Sequence, residues 1–94
     1  MKIKFTPKFR QRLEEVAHYV YQKTQSKQTT IIYIKNLKKH IVVYLTDFPK
    51  LGRPAEEFGK DIRKLVYQRY CILYIIEQEH IDIITIYKEN LPKI

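Results

Sequence analysis

Cysteine occurs once, glycine twice and proline four times in this chain of 94 residues. The lone Cys71 excludes a disulfide framework within the chain, which suits a reducing cytosol. So few glycines and prolines exclude a low-complexity or disordered composition. No apolar run approaches the length that spans a bilayer, and the start shows no signal-peptide pattern. A cytoplasmic protein without membrane contact is therefore expected. His18, His40 and His80 are far apart and show no metal-ligand spacing, so neither a metal nor a cofactor is expected. Acidic residues are scarce, 10 against 18 basic ones, for a net charge of +8. That balance invites an acidic partner: nucleic acid, the ribosome or an acidic protein segment. The excess is uneven, with ten basic and three acidic residues in 1–48 but eight and seven in 49–94.

What is present is a meander. Residues 62–67, 70–77 and 81–87 are β-rich runs separated only by Gln68-Arg69 and by Gln78-Glu79-His80. Connections this short join antiparallel neighbours, because parallel strands need crossovers of a dozen residues or more. The middle run carries Tyr70, Ile72, Tyr74 and Ile76 on one parity and Cys71, Leu73 and Ile75 on the other. Successive side chains of a strand point to opposite faces, so this strand is apolar on both, as a buried central strand is. The last run repeats the pattern with Ile81, Ile83 and Tyr87 against Ile84 and Ile86.

The first half supplies one cover. Lys2-Ile3-Lys4-Phe5-Thr6 alternates and predicts a short strand. Pro7 suits a helix start, with Thr6 as its N-cap. From residue 8 to about 25, Phe9, Leu13, Val16, Ala17 and Val20 share one helical face. Ser26-Lys27-Gln28 interrupts the pattern. A second helix capped by Thr29 or Thr30 then runs to about Thr46, with Ile31, Ile34, Leu37, Ile41 and Leu45 inward and Lys35, Lys38 and Lys39 outward. Residues 50–60 read as a loop punctuated by Gly52, Pro54 and Gly59, and the end of the chain as a short tail. The expectation is one α+β domain over 1–94: a small antiparallel sheet with an N-terminal helical hairpin packed on one face, in the order β-α-α-β-β-β. Its other face keeps apolar residues that a partner segment or a second copy would cover, unless the loop, the tail or tyrosine rings do so.

Pro49-Lys50-Leu51-Gly52-Arg53-Pro54, Gly59, Ile62-Arg63-Lys64-Leu65, the pair Tyr70 and Tyr74, and Ile83-Ile84-Thr85-Ile86 together resemble toxins of the RelE/ParE superfamily. The order of elements agrees over nearly the whole chain. The resemblance implies the toxin half of a bacterial type II toxin–antitoxin module, neutralised by an antitoxin whose disordered segment folds onto it. It implies target or antitoxin contacts at Arg53, Arg63, Tyr70, Tyr74, Ile84, Ile86 and Tyr87. One branch, similar to ParE, poisons DNA gyrase without hydrolytic chemistry. The other, similar to RelE, cleaves mRNA on the ribosome, which requires a base, a cation and an acid around one phosphate.

For that second branch the corresponding residues are Arg63, Arg69, Tyr87 and Lys88, with Glu89 nearby. Against it, Tyr70-Cys71 stands where that branch has Tyr-Arg, no histidine ends the last strand, and the meander half is nearly neutral. Gly52-Arg53 is typical of the ParE branch. The expectation is thus a gyrase-directed toxin, with a ribosome-dependent endoribonuclease as the alternative and a non-toxic basic binding module as a third reading. Each residue also has a plainer role. Arg63 can pair with Glu56, Glu57 or Asp61, Arg53 can be a solvated loop residue, Tyr87 can pack at a strand end, and Cys71 can fill the core.

Overall fold

The computed structural model describes residues 1–89. A strand β1 (Lys2–Phe5) leads into two helices, α1 (Pro7–Thr24) and α2 (Lys27–Asp47). A two-residue strand β2 (Arg53–Pro54) and a 3-10 turn (Glu56–Phe58) precede the meander β3 (Ile62–Tyr67), β4 (Tyr70–Ile76) and β5 (His80–Lys88). The α+β class, the order of the main elements and the antiparallel meander are as expected. Two features add to it. The sheet has the order β1-β5-β4-β3-β2, and β1 joins β5 in parallel, so the sheet is mixed. Part of the expected loop is β2, paired antiparallel with Arg63 and Lys64. The helical hairpin is the long crossover that parallel pairing of β1 requires.

Local chemistry sets the helix ends. The Thr6 hydroxyl accepts from the Phe9 amide at 3.1 Å, and Pro7 occupies the first turn, where a missing N–H costs nothing. Gln25 closes α1 in the left-handed region, φ 56°, its amide donating to Tyr21 O at 2.7 Å. Ser26 caps α2 immediately afterwards, accepting from the Thr29 amide at 3.1 Å. The expected caps Thr29 and Thr30 therefore lie inside the helix, and the link between helices is only Gln25-Ser26. Thr30 is buried and donates to Ser26 O at 2.9 Å. The inward face runs through Thr30, Ile34, Leu37, Ile41 and Leu45. Ile31 is one residue, about 100°, further round and is 65% exposed rather than inward. Lys35 and Lys39 point outward as expected, whereas Lys38 lies 5.2 Å from the centre of the Phe5 ring.

The core lies between the hairpin and one sheet face. Phe9, Leu13 and Val16 of α1 and Leu37, Ile41 and Leu45 of α2 meet Leu65, Tyr70, Ile72, Tyr74, Ile81, Ile83 and Ile86. A fully buried side chain of this size contributes about 1.5–3 kcal/mol, so this layer holds the fold. The opposite face is better covered than expected. Cys71 and Leu73 are buried there, and Phe58 from the 3-10 turn packs on Tyr87 at 5.9 Å between ring centres. Val66 stays exposed, and Ile62, Ile75 and Ile84 are half-buried. The tail beyond Glu89 lies outside the described residues.

One irregularity is stabilised by Thr6. Leu73 pairs with Thr85 but Tyr74 with Ile83, which leaves Ile84 as a bulge in β5. The Thr6 hydroxyl shares its proton between the carbonyls of Ile83 and Ile84, both at 2.9 Å. The same oxygen caps α1, so one side chain joins bulge, strand and helix. Thr6→Ala is expected to cost about 2 kcal/mol, the upper end for a cap, and the solvent-exposed cap change Ser26→Ala about 1 kcal/mol or less. Urea unfolding measures both; a Thr6→Ala cost no greater than that of Ser26→Ala would contradict this role.

Candidate functional site

The Pro49–Pro54 motif is gathered by two side chains of the sheet. Tyr74 projects from β4 and is wholly buried. Its hydroxyl donates to Pro49 O at 2.7 Å and accepts from the Gly52 amide at 2.9 Å. Arg63 stands beside it on β3, its Cα paired with that of Tyr74. Its Nε donates to Gly52 O at 2.8 Å and its Nη2 to Lys50 O at 3.3 Å. Gly52 is buried against them: a Cβ there would lie 2.7 Å from Lys64 O and from the Tyr74 hydroxyl. Backbone and ring leave no room, so only glycine closes this contact. Burial pushes the Tyr74 phenol up, while the Gly52 amide and Arg63 pull it down.

This geometry gives Arg63 and Tyr74 a positioning role, because their polar atoms are committed to the chain's own carbonyls. Arg63 does not pair with Glu56, Glu57 or Asp61 among the described residues; it bonds to Gly52 and Lys50 instead. Beside the exposed Lys50 and Arg53, the closed loop presents apolar side chains. Phe48 is 61% exposed and borders, with Met1, Leu51 and Ile76, a shallow hollow of about 560 Å³. Phe48 lies between the expected end of the second helix and the expected loop, and the sequence pattern assigned it no role. Its signal was the apolar pair Phe48 and Leu51 flanking Pro49-Lys50, three residues apart where the second helix gives way to the expected loop. Arg53 is exposed and its Nη1 donates to Pro54 O at 3.4 Å.

The remaining expected residues lie elsewhere. Tyr70 and Ile86 are buried on the helix side, Tyr70 edge-on to Tyr33 at 6.3 Å. Ile84 is the half-buried bulge residue. Arg69 forms the β3–β4 turn, and Lys88 at the end of β5 donates to the Tyr19 hydroxyl. Tyr87 is on the far face against Phe58, its phenol pushed up to about 12 by burial and by the neighbouring Cys71 thiol. At neutral pH it carries its proton and cannot serve as a base.

These positions do not assemble around one phosphate. Arg63 pairs with Tyr74 and Tyr87 with Cys71, three residues apart on β4, so the two project from opposite faces. Lys88 pairs with Tyr70 on the Arg63 side, but four residues along the strand, or about 13 Å. Among the described residues no cluster of histidine, cysteine or carboxylates could hold a metal. No described helix is long and apolar enough to cross a membrane.

The chain matches the family model for the ParE toxin of type II toxin–antitoxin systems, parDE, over residues 3–90. Its fold is similar to a chain of the chromosomal ParDE toxin–antitoxin system from P. aeruginosa. That similarity has a TM-score of 0.78 and 15% identity, and covers 96% of this chain and 97% of the other. At such identity it carries the fold alone. No curated protein sequence matches this one.

Tyr74→Phe removes the group that satisfies a buried amide and is expected to cost about 1–3 kcal/mol. It is also expected to speed tryptic cleavage after Lys50, because the loop loses its anchor. An unchanged urea midpoint with unchanged cleavage would show that the hydroxyl does not hold the loop.

Proposed function

The chain belongs to the ParE toxin family of type II toxin–antitoxin systems, and on that premise we propose that it arrests growth by engaging DNA gyrase until a cognate antitoxin covers it. The family match over 3–90 carries this reading. The surface supports the antitoxin half of it. Phe48 and Leu51 at the closed loop, and Ile31, Ile32, Val42 and Val43 on the outer side of α2, are exposed apolar side chains on a chain of net charge +8. A disordered antitoxin segment bearing apolar and acidic residues complements both features, and folds as it binds.

Two observations support gyrase over the ribosome. The Gly52-Arg53 motif resembles the ParE branch, and it forms the closed loop that Tyr74 and Arg63 hold. The residues a nuclease would need are divided between two faces and two ends of the sheet. The toxin then acts as a binding protein that perturbs an enzyme, and its cytoplasmic location follows from that target.

Induced expression of this chain alone is expected to stop growth, and co-expression of the small protein encoded beside it to restore growth. Purified toxin is expected to inhibit supercoiling by gyrase or to trap cleaved DNA. Untouched gyrase together with cutting of mRNA in the ribosomal A site would replace this reading with the ribonuclease one. Normal growth at confirmed expression would remove both.

A further inference from the structure

Three cations converge at the end of the sheet far from the closed loop. Lys23 of α1, Arg69 of the β3–β4 turn and Lys88 of β5 line a recess of about 300 Å³ with Tyr19, Tyr33 and Tyr70. No aspartate or glutamate among the described residues lines it. Lys88 donates to the Tyr19 hydroxyl and sits 4.0 Å from the ring centre, and the Lys23 ammonium lies 5.5 Å from the same centre. An adjoining recess of about 200 Å³ shares Tyr19, Tyr70 and Lys88 and adds Arg12. Its one carboxylate, Glu15, is paired with Arg12 at 3.4 Å. The Tyr19 phenol is held below its ordinary value, first by the Lys88 hydrogen bond and also by the charges of Lys23 and Lys88, against an opposing effect of burial.

Like charges gathered in a concavity repel one another, and a compact anion relieves that repulsion. The walls specify the anion further. Thr24, Thr29 and Gln68 add polar groups, and among the described residues Val20, which is half-buried, is the one aliphatic side chain in the lining. A phosphodiester next to a planar base would find cations and a half-exposed aromatic ring together, the combination that holds single strands in other proteins. We propose that this recess binds a DNA strand, with a backbone phosphate between Lys23, Arg69 and Lys88 and a neighbouring base against Tyr19. The contact belongs to the toxin itself and does not rest on the choice of gyrase as target.

Fluorescence anisotropy of purified toxin with a labelled DNA single strand of about 20 nucleotides, over a series of salt concentrations, tests this. Arg69→Gln and Lys88→Gln are each expected to weaken binding about 3- to 10-fold, and the two together to lower the salt slope by about 0.7, one phosphate contact on a single strand. Tyr19→Ala is expected to weaken binding and Tyr19→Phe to leave it nearly intact. The double change Lys35→Gln, Lys39→Gln removes two charges from the outer side of α2 and is expected to alter affinity less than about twofold. Equal urea midpoints confirm folding, and Arg69→Gln, on an exposed turn, reads the contact even where a change at Lys88 disturbs the fold. Equal weakening by the α2 double change, no effect of Arg69→Gln, no DNA binding at about 0.1 M salt, or a preference for an RNA of the same sequence would each overturn the proposal.

Discussion

The phenolic oxygen of Tyr74 is the point on which the loop side of this molecule depends. It satisfies one half-buried carbonyl and one buried amide of a segment that makes only a two-residue strand of its own. A buried backbone group without a partner costs about 1–3 kcal/mol, so removing this oxygen lays that penalty on the Gly52 amide and frees the Pro49 carbonyl as well. Arg63 adds two charge-assisted bonds from the neighbouring strand, and Gly52 allows the close approach. The chain can lay an irregular segment against its sheet because three residues from separate positions meet there.

The consequence is a molecule with different chemistry at its two ends. β4 runs from Tyr70, beside Lys88 and Arg69, to Tyr74, beside Arg63 and the closed loop. The Tyr74 end displays Phe48 and Leu51 around an apolar hollow. The Tyr70 end gathers cations around tyrosines. The hairpin and sheet between them form one packed core, which keeps the separation of the two surfaces constant. For a toxin with a cognate antitoxin, two distinct surfaces allow one to be covered while the other stays open.

The fold was largely legible because it rests on period and connection length. The two-sided apolar pattern of residues 70–76 marked β4 as central, and the short links of the meander left only antiparallel pairing. Where periodicity was ambiguous, the reading failed. Ile31, Ile32, Tyr33 and Ile34 are four consecutive apolar residues, so the first inward position was placed at Ile31 instead of Thr30, while Ile34, Leu37, Ile41 and Leu45 face inward as expected. The parallel pairing of β1 leaves no trace in its alternation. The site was less legible. Arg63 and Tyr74 were marked out as contacts for a target or an antitoxin, not as the pair that holds Gly52. Their bonds run to carbonyls 11 to 25 residues earlier, and no local pattern shows which oxygen a buried hydroxyl will find. Tyr19 went unnoticed because it lies on a helix, while the lysine that meets it lies 69 residues later.

Native-state hydrogen exchange at the Gly52 amide tests the central contact most directly. A donor held 2.9 Å from a buried hydroxyl should exchange only through large-scale opening, about as slowly as the core amides of β4. Exchange at the rate of an open loop, with the β4 amides still protected, would contradict the account.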